Sequence, residues 1–264
     1  MKQSFFASIF IFSLIIFLFC NCQKKRIGVV FSFDDSSIDE WYAHRTLFNK
    51  YDIRATFFIT RPHLLDTNLI NKLKILESEG HEIACHGYEH KNATDYQVSE
   101  DYINQEINPA LQKLQEIGFN VTSFAYPFGA STTNLDSLLL NYFRTIRKAT
   151  YNIQNTTIDK YSEIYANNNS FRIVNSMGID NNYGITPENF KTGILRARKN
   201  NEILILHAHR IDTSYSEYTV NSEYLEELFL ICKNYRIISV TMDGMYNYFQ
   251  KTMVFKNKCS TINN

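Results

Sequence analysis

Two successive aspartates, Asp34-Asp35, close the apolar run Val29-Val30-Phe31-Ser32-Phe33, and two histidines stand four residues apart in His86-Gly87-Tyr88-Glu89-His90. A second histidine pair, in His207-Ala208-His209, ends another apolar run, Ile203-Leu204-Ile205-Leu206. Adjacent carboxylates at a strand end repel each other unless a cation or hydrogen bonds compensate. The plainer alternative is a helix N-cap with an acidic first turn, which Asp35-Ser36-Ser37 also satisfies. Histidines at i and i+4 share one face of a helix and can chelate a single metal, although such pairs also arise by chance on surfaces. Taken together, one carboxylate and two imidazoles make a three-ligand metal site with open positions for water and substrate.

Those residues need elements to hold them. Short β-like runs alternate with helical patterns, the signature of a parallel sheet with crossover helices. The expected strands are Ile27–Phe33, Ala55–Ile59, Glu82–Cys85, Val121–Tyr126, Phe143–Arg147, Phe171–Asn175, Glu202–His207 and Arg236–Thr241. Helical periodicity is clearest over Leu65–Glu79 and Val98–Ile117, each followed by a glycine, Gly80 or Gly118, suited to the left-handed position after a helix. Pro109 is expected to kink the second. About eight such units point to an α/β fold of one domain, a distorted or incomplete (β/α) barrel, in which active sites gather at the carboxyl ends of the strands. Asp34-Asp35, His86, Tyr126-Pro127-Phe128-Gly129 and His207 through His209 all stand at such ends. The polar stretch Asn152–Ser170 reads as a long surface loop, and no internal repeat or low-complexity tract interrupts the domain.

The 264 residues, 44% of them apolar, suffice for a continuous core. Lys+Arg and Asp+Glu both number 27, so no net field draws the chain to nucleic acid, and a neutral substrate or a local site is expected. Lys2 and the apolar run Phe5 to Phe19 precede Cys20-Asn21-Cys22 and Lys24-Lys25-Arg26. A run of about 15 residues suits a signal-peptide core better than a spanning helix of about 20. Residues 1–22 are therefore read as a signal peptide of the lipoprotein type, with lipidation expected at Cys20 or Cys22, and residues 23–264 as the domain, exported to the cell envelope and touching membrane only through that lipid or signal segment. The small residue usual before a lipidated cysteine is missing at both positions, where Phe19 and Asn21 stand. Cys85, Cys232 and Cys259 remain, an odd number without framework spacing, so no disulfide scaffold is expected and Cys85 reads as a small buried residue. Most of the 17 Tyr and 20 Phe are expected to pack the core and loops.

Ser32-Phe33-Asp34-Asp35, Ala55-Thr56-Phe57-Phe58-Ile59 and the segment Gly80 to His90 resemble the first half of the polysaccharide deacetylase family, also called carbohydrate esterase family four. The likeness continues, more weakly, through Phe124 to Gly129 and His207 to Ile211, across essentially the whole mature chain. The resemblance implies that Asp34 is the catalytic base, that Asp35, His86 and His90 hold one divalent metal, most often Zn2+ with Co2+, Ni2+ or Fe2+ able to serve, and that a late histidine is the general acid. His209 is the choice for that acid and His207 the alternative, since both lie on one strand face by period-two alternation. It places the oxyanion donor at the Phe128 N–H in Tyr126-Pro127-Phe128. The expected substrate is an acetylated glycan, the reaction N-deacetylation or, with a sugar hydroxyl as leaving group, ester hydrolysis, and the chain a monomer.

Three departures stand out. The arginine that begins the family's third motif is Ala125 here, and Arg147 at the end of the fifth strand is a candidate replacement. The aspartate-tryptophan motif that supports the histidine is not recognisable, Trp41 being the only tryptophan. Ser36 stands where glycine usually follows the aspartates. These departures leave an inactive glycan-binding relative as one rival, and the two-histidine, one-carboxylate set leaves an iron oxygenase as another. Neither a Gly-x-Ser-x-Gly elbow nor a phosphate-binding glycine loop is present.

Overall fold

A computed structural model of the protein describes residues 26–151 and 156–262. The expected signal segment with Cys20 and Cys22, and positions 152–155 of the expected loop, lie outside the described residues. The strands are β1 (Arg26–Asp35), β2 (Ala55–Ile59), β3 (Glu82–Cys85), β4 (Ser123–Ala125), β5 (Thr145–Thr150), β6 (Tyr165–Ala166), β7 (Ile173–Gly178), β8 (Ile203–Ala208), β9 (Arg210–Asp212), β10 (Thr219–Asn221) and β11 (Ile237–Ser239). Every one of the eight expected strand segments is among them, with ends moved by a few residues.

β1, β2, β3, β4, β5, β7 and β8 pair in that order, all parallel, and β8 pairs back onto β1 from Val29↔Leu204 to Phe33↔Ala208. A seven-stranded barrel results. The eighth expected strand, β11, lies along the start of β1 (Arg26↔Ile237) rather than in the ring, and β6 runs antiparallel beside β8. The ring is distorted where β3 and β4 share a single registered pair, Cys85↔Phe124.

Helices pack outside. Asp66, Thr132, Thr186 and Asn221 each accept first-turn N–H groups of the helices that follow them, which stabilises each helix by about 1 kcal/mol. The expected helix Leu65–Glu79 is found as Thr67–Ser78. The expected helix Val98–Ile117 runs as Ser99–Tyr102, a π-helical turn Ile103–Ile107, and Asn108–Glu116. Pro109 has no N–H to give the Gln105 carbonyl four residues back, and the preceding Asn108 N–H reaches Ile103, five residues back. The chain thus absorbs the proline as a wider turn.

Strand alternation sorts the side chains. Val29, Phe31 and Phe33 of β1 join the large cluster beneath the helices, whereas Val30 belongs with Phe58, Ala84, Ala125, Val174 and Ile205 in a second cluster inside the barrel. Below that apolar layer, the Thr145 hydroxyl donates to Ser123 (2.8 Å), Ser123 to Glu82 (2.6 Å) and Thr56 to Glu82 (3.0 Å). The final helix, Met242–Ile262, stops this end: its Met242 and Asp243 N–H groups donate to Thr56 and Glu82, and Met242, Met245 and Phe249 fill the opening. Phe249 is fully buried, so Phe249→Ala is expected to cost about 3–5 kcal/mol of unfolding free energy, read from urea denaturation; a loss below about 1 kcal/mol would show that the plug contributes little.

Candidate active site

The opposite end of the barrel is polar on the same inward face. The alternation that sends Val30 inward also sends in Ser32 and Asp34, and on β5 Arg147; His86 follows directly on the end of β3. A pocket of about 330 Å³ opens here, lined among others by Asp34, Asp35, His86, His90, Arg147, His207 and His209. Chemistry-bearing residues from three strands and two loops therefore converge as the barrel reading requires.

Asp34 is 3% exposed and is held by the Arg147 guanidinium, which itself is 1% exposed. Ala125 and Arg147 are register partners on β4 and β5. A guanidinium from the neighbouring strand thus reaches the aspartate across a residue too small to obstruct it. Burial alone would push the Asp34 carboxyl up, but Arg147 first, and then His86, His207 and His209, hold it far below the usual carboxylate range. Asp34 is ionised at every working pH.

Asp35 turns away from its neighbour because its backbone is left-handed, φ 79°. It is not an N-cap: the helix Ile38–Ala43 is preceded by Ser37, and no side chain caps it. Its Oδ1 lies 3.2 Å from His90 Nε2 and 3.7 Å from His86 Nε2. Burial opposes ionisation of Asp35, but the hydrogen bond from His90 and the nearby His86 and His209 lower its pKa. His86 and His90 do not meet on a helical face as their spacing suggested. They sit in a loop after β3, Gly87 at φ 88° and His90 at φ 62°, so the chain curls back to aim both rings at Asp35.

This trio is the one group among the described residues with three ligand atoms gathered, all within 4.8 Å. A tetrahedral cation with bonds of about 2.0–2.1 Å needs ligand atoms about 3.3 Å apart, and the Asp35 distances of 3.2 and 3.7 Å suit that. The tautomer suits it too: His86 Nδ1 is 2.8 Å from the Ala125 carbonyl oxygen, which can only accept, so Nδ1 carries the proton and Nε2 keeps its lone pair. Burial pushes the His86 pKa down to about 4, leaving the ring neutral as ligation demands.

Across the pocket, His209 Nδ1 lies 2.5 Å from Asp180 Oδ2, while the His209 backbone N–H donates to Asp180 Oδ1 at 3.0 Å. Burial disfavours its charged form, but the Asp180 hydrogen bond and charge, with Asp34 and Asp35, raise its pKa to about 9. The Trp41 indole donates to the His209 carbonyl at 2.8 Å, fixing the backbone as well. His207 is different: it is 2% exposed, with Ser176 Oγ 2.8 Å from Nδ1 and Tyr183 Oη 3.2 Å from Nε2. Burial and Arg147 push its pKa well down, so it is a neutral wall residue. Tyr126 and Phe128 line the pocket; Pro127 is buried behind them. Phe128 is left-handed at φ 59°, and its ring stands edge-on to His90 at 4.8 Å. Cys85 is buried and its thiol is pushed up to about 12, which makes it inert packing.

Asp180 has no place in the sequence expectation because the sixth expected strand, Phe171–Asn175, stops short of it. Continued to Gly178, the strand places Asp180 at a carboxyl end like the other site residues. Gly178 was the available signal: a Cβ there would lie 2.2 Å from the Tyr183 ring, which packs over the strand and lines the pocket with Tyr151, Asn182 and Tyr218.

A family model described as polysaccharide deacetylase matches residues 22–143, the span that holds Asp34, Asp35, His86 and His90. The match covers a little under half of the chain, and over that span the chain is similar to the polysaccharide deacetylase family. It is 27% identical to the protein YheN of Bacillus subtilis (strain 168) over 148 residues, 54% of this chain and only half of that relative's length. Among solved structures, the chitin deacetylase of the fungal pathogen Colletotrichum lindemuthianum superposes with a TM-score of 0.56 at 16% identity, covering 83% of this chain and 88% of that one. Peptidoglycan deacetylase PdaC from Bacillus subtilis gives 0.52 at 16% identity over 90% and 98%. These two likenesses show that the chain shares their barrel fold.

The Asp180–His209 pair is checkable without any substrate. A raised folded pKa means stability that is complete below the ordinary histidine value of about 6.5 and is lost as pH rises through about 9. In the metal-free protein, NMR titration of His209 is expected to show a midpoint near 9. Asp180→Asn is expected to bring it down toward the ordinary range, and an unmoved midpoint would remove Asp180 from the account.

Proposed function

We propose that this protein is a metal-dependent hydrolase that removes N-acetyl groups from a polysaccharide or oligosaccharide outside the cytoplasm. The observation that carries this is the convergence, on one pocket, of an ionised Asp34, a three-ligand set Asp35, His86 and His90, and a proton-bearing His209. Asp35, His86 and His90 would hold a divalent cation, which we take to be zinc, and when bound it would supply Lewis acidity toward an acyl oxygen and a water.

The chain's own residues supply the proton movements. Asp34, kept ionised by Arg147, accepts a proton from the attacking water as its oxygen bonds to the acetyl carbon. The Phe128 N–H donates to the oxygen on which negative charge develops. His209, held protonated by Asp180, gives its proton to the leaving nitrogen as the C–N bond breaks. Acetate and a free amino sugar result. With a sugar oxygen as leaving group the same apparatus cleaves an ester, and that is the second reading. The leader with Cys20 and Cys22 supports export and lipid anchoring at the cell envelope, and the balance of 27 basic and 27 acidic residues supports a neutral glycan over nucleic acid.

Acetate release from N-acetylglucosamine oligomers and from acetylated xylan, by zinc-loaded protein beside Asp34→Ala, tests the reading. Release from the oligomers alone is expected. Release from xylan alone would make the protein an esterase, and none from either, with zinc bound, would favour a glycan-binding role. Stripping the metal with a chelator is expected to abolish turnover and zinc to restore it. Arg147→Ala is expected to let the Asp34 pKa rise, so that the acid limb of kcat/KM moves to higher pH and activity falls most in mild acid; an unshifted limb would separate Arg147 from the base.

A further inference from the structure

Glu106 lies 1% exposed on the π-helical turn Ile103–Ile107. No Lys, Arg or His forms an ion pair with it among the described residues. A buried carboxylate without a cation is costly unless hydrogen-bond donors replace its water. Its donors all come from one place. Glu106 Oε2 accepts the N–H groups of Tyr88 (3.0 Å), Glu89 (3.0 Å) and Lys91 (3.4 Å), and Oε1 accepts Glu89 N–H at 3.2 Å. The loop that carries His86 and His90 is therefore wrapped around a carboxylate from a different element, as backbone N–H nests wrap a bound anion.

We propose that Glu106 is the positioning residue of the metal centre: by gathering the N–H groups on both sides of His90, it holds that histidine in the left-handed conformation that turns Nε2 toward Asp35. The inference rests on the metal reading above and concerns a residue that touches neither cation nor substrate. Left-handed backbone at a residue other than glycine costs on the order of 1 kcal/mol and persists only where the surroundings over-determine it. Two adjoining features show that they do. Gly87 has φ 88°, and a Cβ there would stand 2.8 Å from Glu106 Oε2, so the loop's glycine makes room for the carboxylate as well as for the turn. Glu106 is buried on the π-helical turn that stands directly ahead of Pro109, a local departure from the regular helix of the kind found at functional positions. Pro109, Glu106, Gly87 and His90 thus form one chain of causes from helix to ligand.

The test is the affinity of the full chain for Zn2+ and Co2+, measured by competition with a chromophoric chelator and, for Co2+, by its visible absorption, in the parent, Glu106→Ala and Glu106→Gln. Outer-shell groups of this kind are worth about 10- to 100-fold in metal affinity. Glu106→Ala is expected to weaken both cations by that factor and to alter the Co2+ spectrum. Glu106→Gln, which keeps one oxygen for the Tyr88 and Glu89 N–H groups, is expected to lose less. The near-UV circular dichroism of the metal-free variants is expected to match the parent, and if Glu106→Ala does not fold, the Gln variant decides by the same affinity shift. Parent-like affinity and spectrum in the folded variants would overturn the proposal while leaving the metal reading intact. A parent chain that binds neither cation would overturn both.

Discussion

A guanidinium and a carboxylate, taken out of water inside a barrel, constrain everything around them. Separating Arg147 from Asp34 would leave a lone buried charge, at a cost of about 3–5 kcal/mol. Once β1 and β5 are brought to the positions where these groups meet, the strands between them have no freedom of register. β4 must present a small residue beside Arg147, and it presents Ala125. Phe58 on β2 lies under the guanidinium, its ring centroid 5.2 Å from Cζ. Asp34 is thereby committed to the arginine, and Asp35, one residue on and on the other side of the chain, is left to face the histidines.

The same logic divides the pocket into groups of fixed charge. Burial keeps His86 and His207 neutral, while a carboxylate partner keeps His209 charged. Three histidines of one chemical type thus hold three environments, and the difference lies in what stands behind each ring: the Ala125 carbonyl, the Ser176 hydroxyl, the Asp180 carboxylate.

Much of this was legible in the sequence because strand ends are local. The apolar runs into Asp34-Asp35, His86 and His207 through His209 announced both the strands and the residues at their mouths. Register is not local, and that is where reading stopped. Arg147 could be named as a candidate, but only the alignment of β5 with β4 brings it to Asp34. Asp180 was lost to a strand ended three residues early. The spacing of His86 and His90 suggested a helix, whereas the curl is imposed by a glutamate sixteen residues beyond His90, with no motif to mark it. The eighth strand was seen, but nothing in its pattern says that it flanks the ring instead of joining it.

Closure of the ring has a consequence for how the molecule comes into being. Val29 pairs with Leu204, and Arg26 with Ile237, so the first strand waits for partners from the last quarter of the chain. Topologies dominated by such distant pairings fold slowly, and until β8 arrives both edges of the growing sheet stand open to other chains. His209 arrives later still. A chain cut short by protease or ribosome therefore loses barrel and pocket together: His209, the closing strand and the plug all come from the same final stretch.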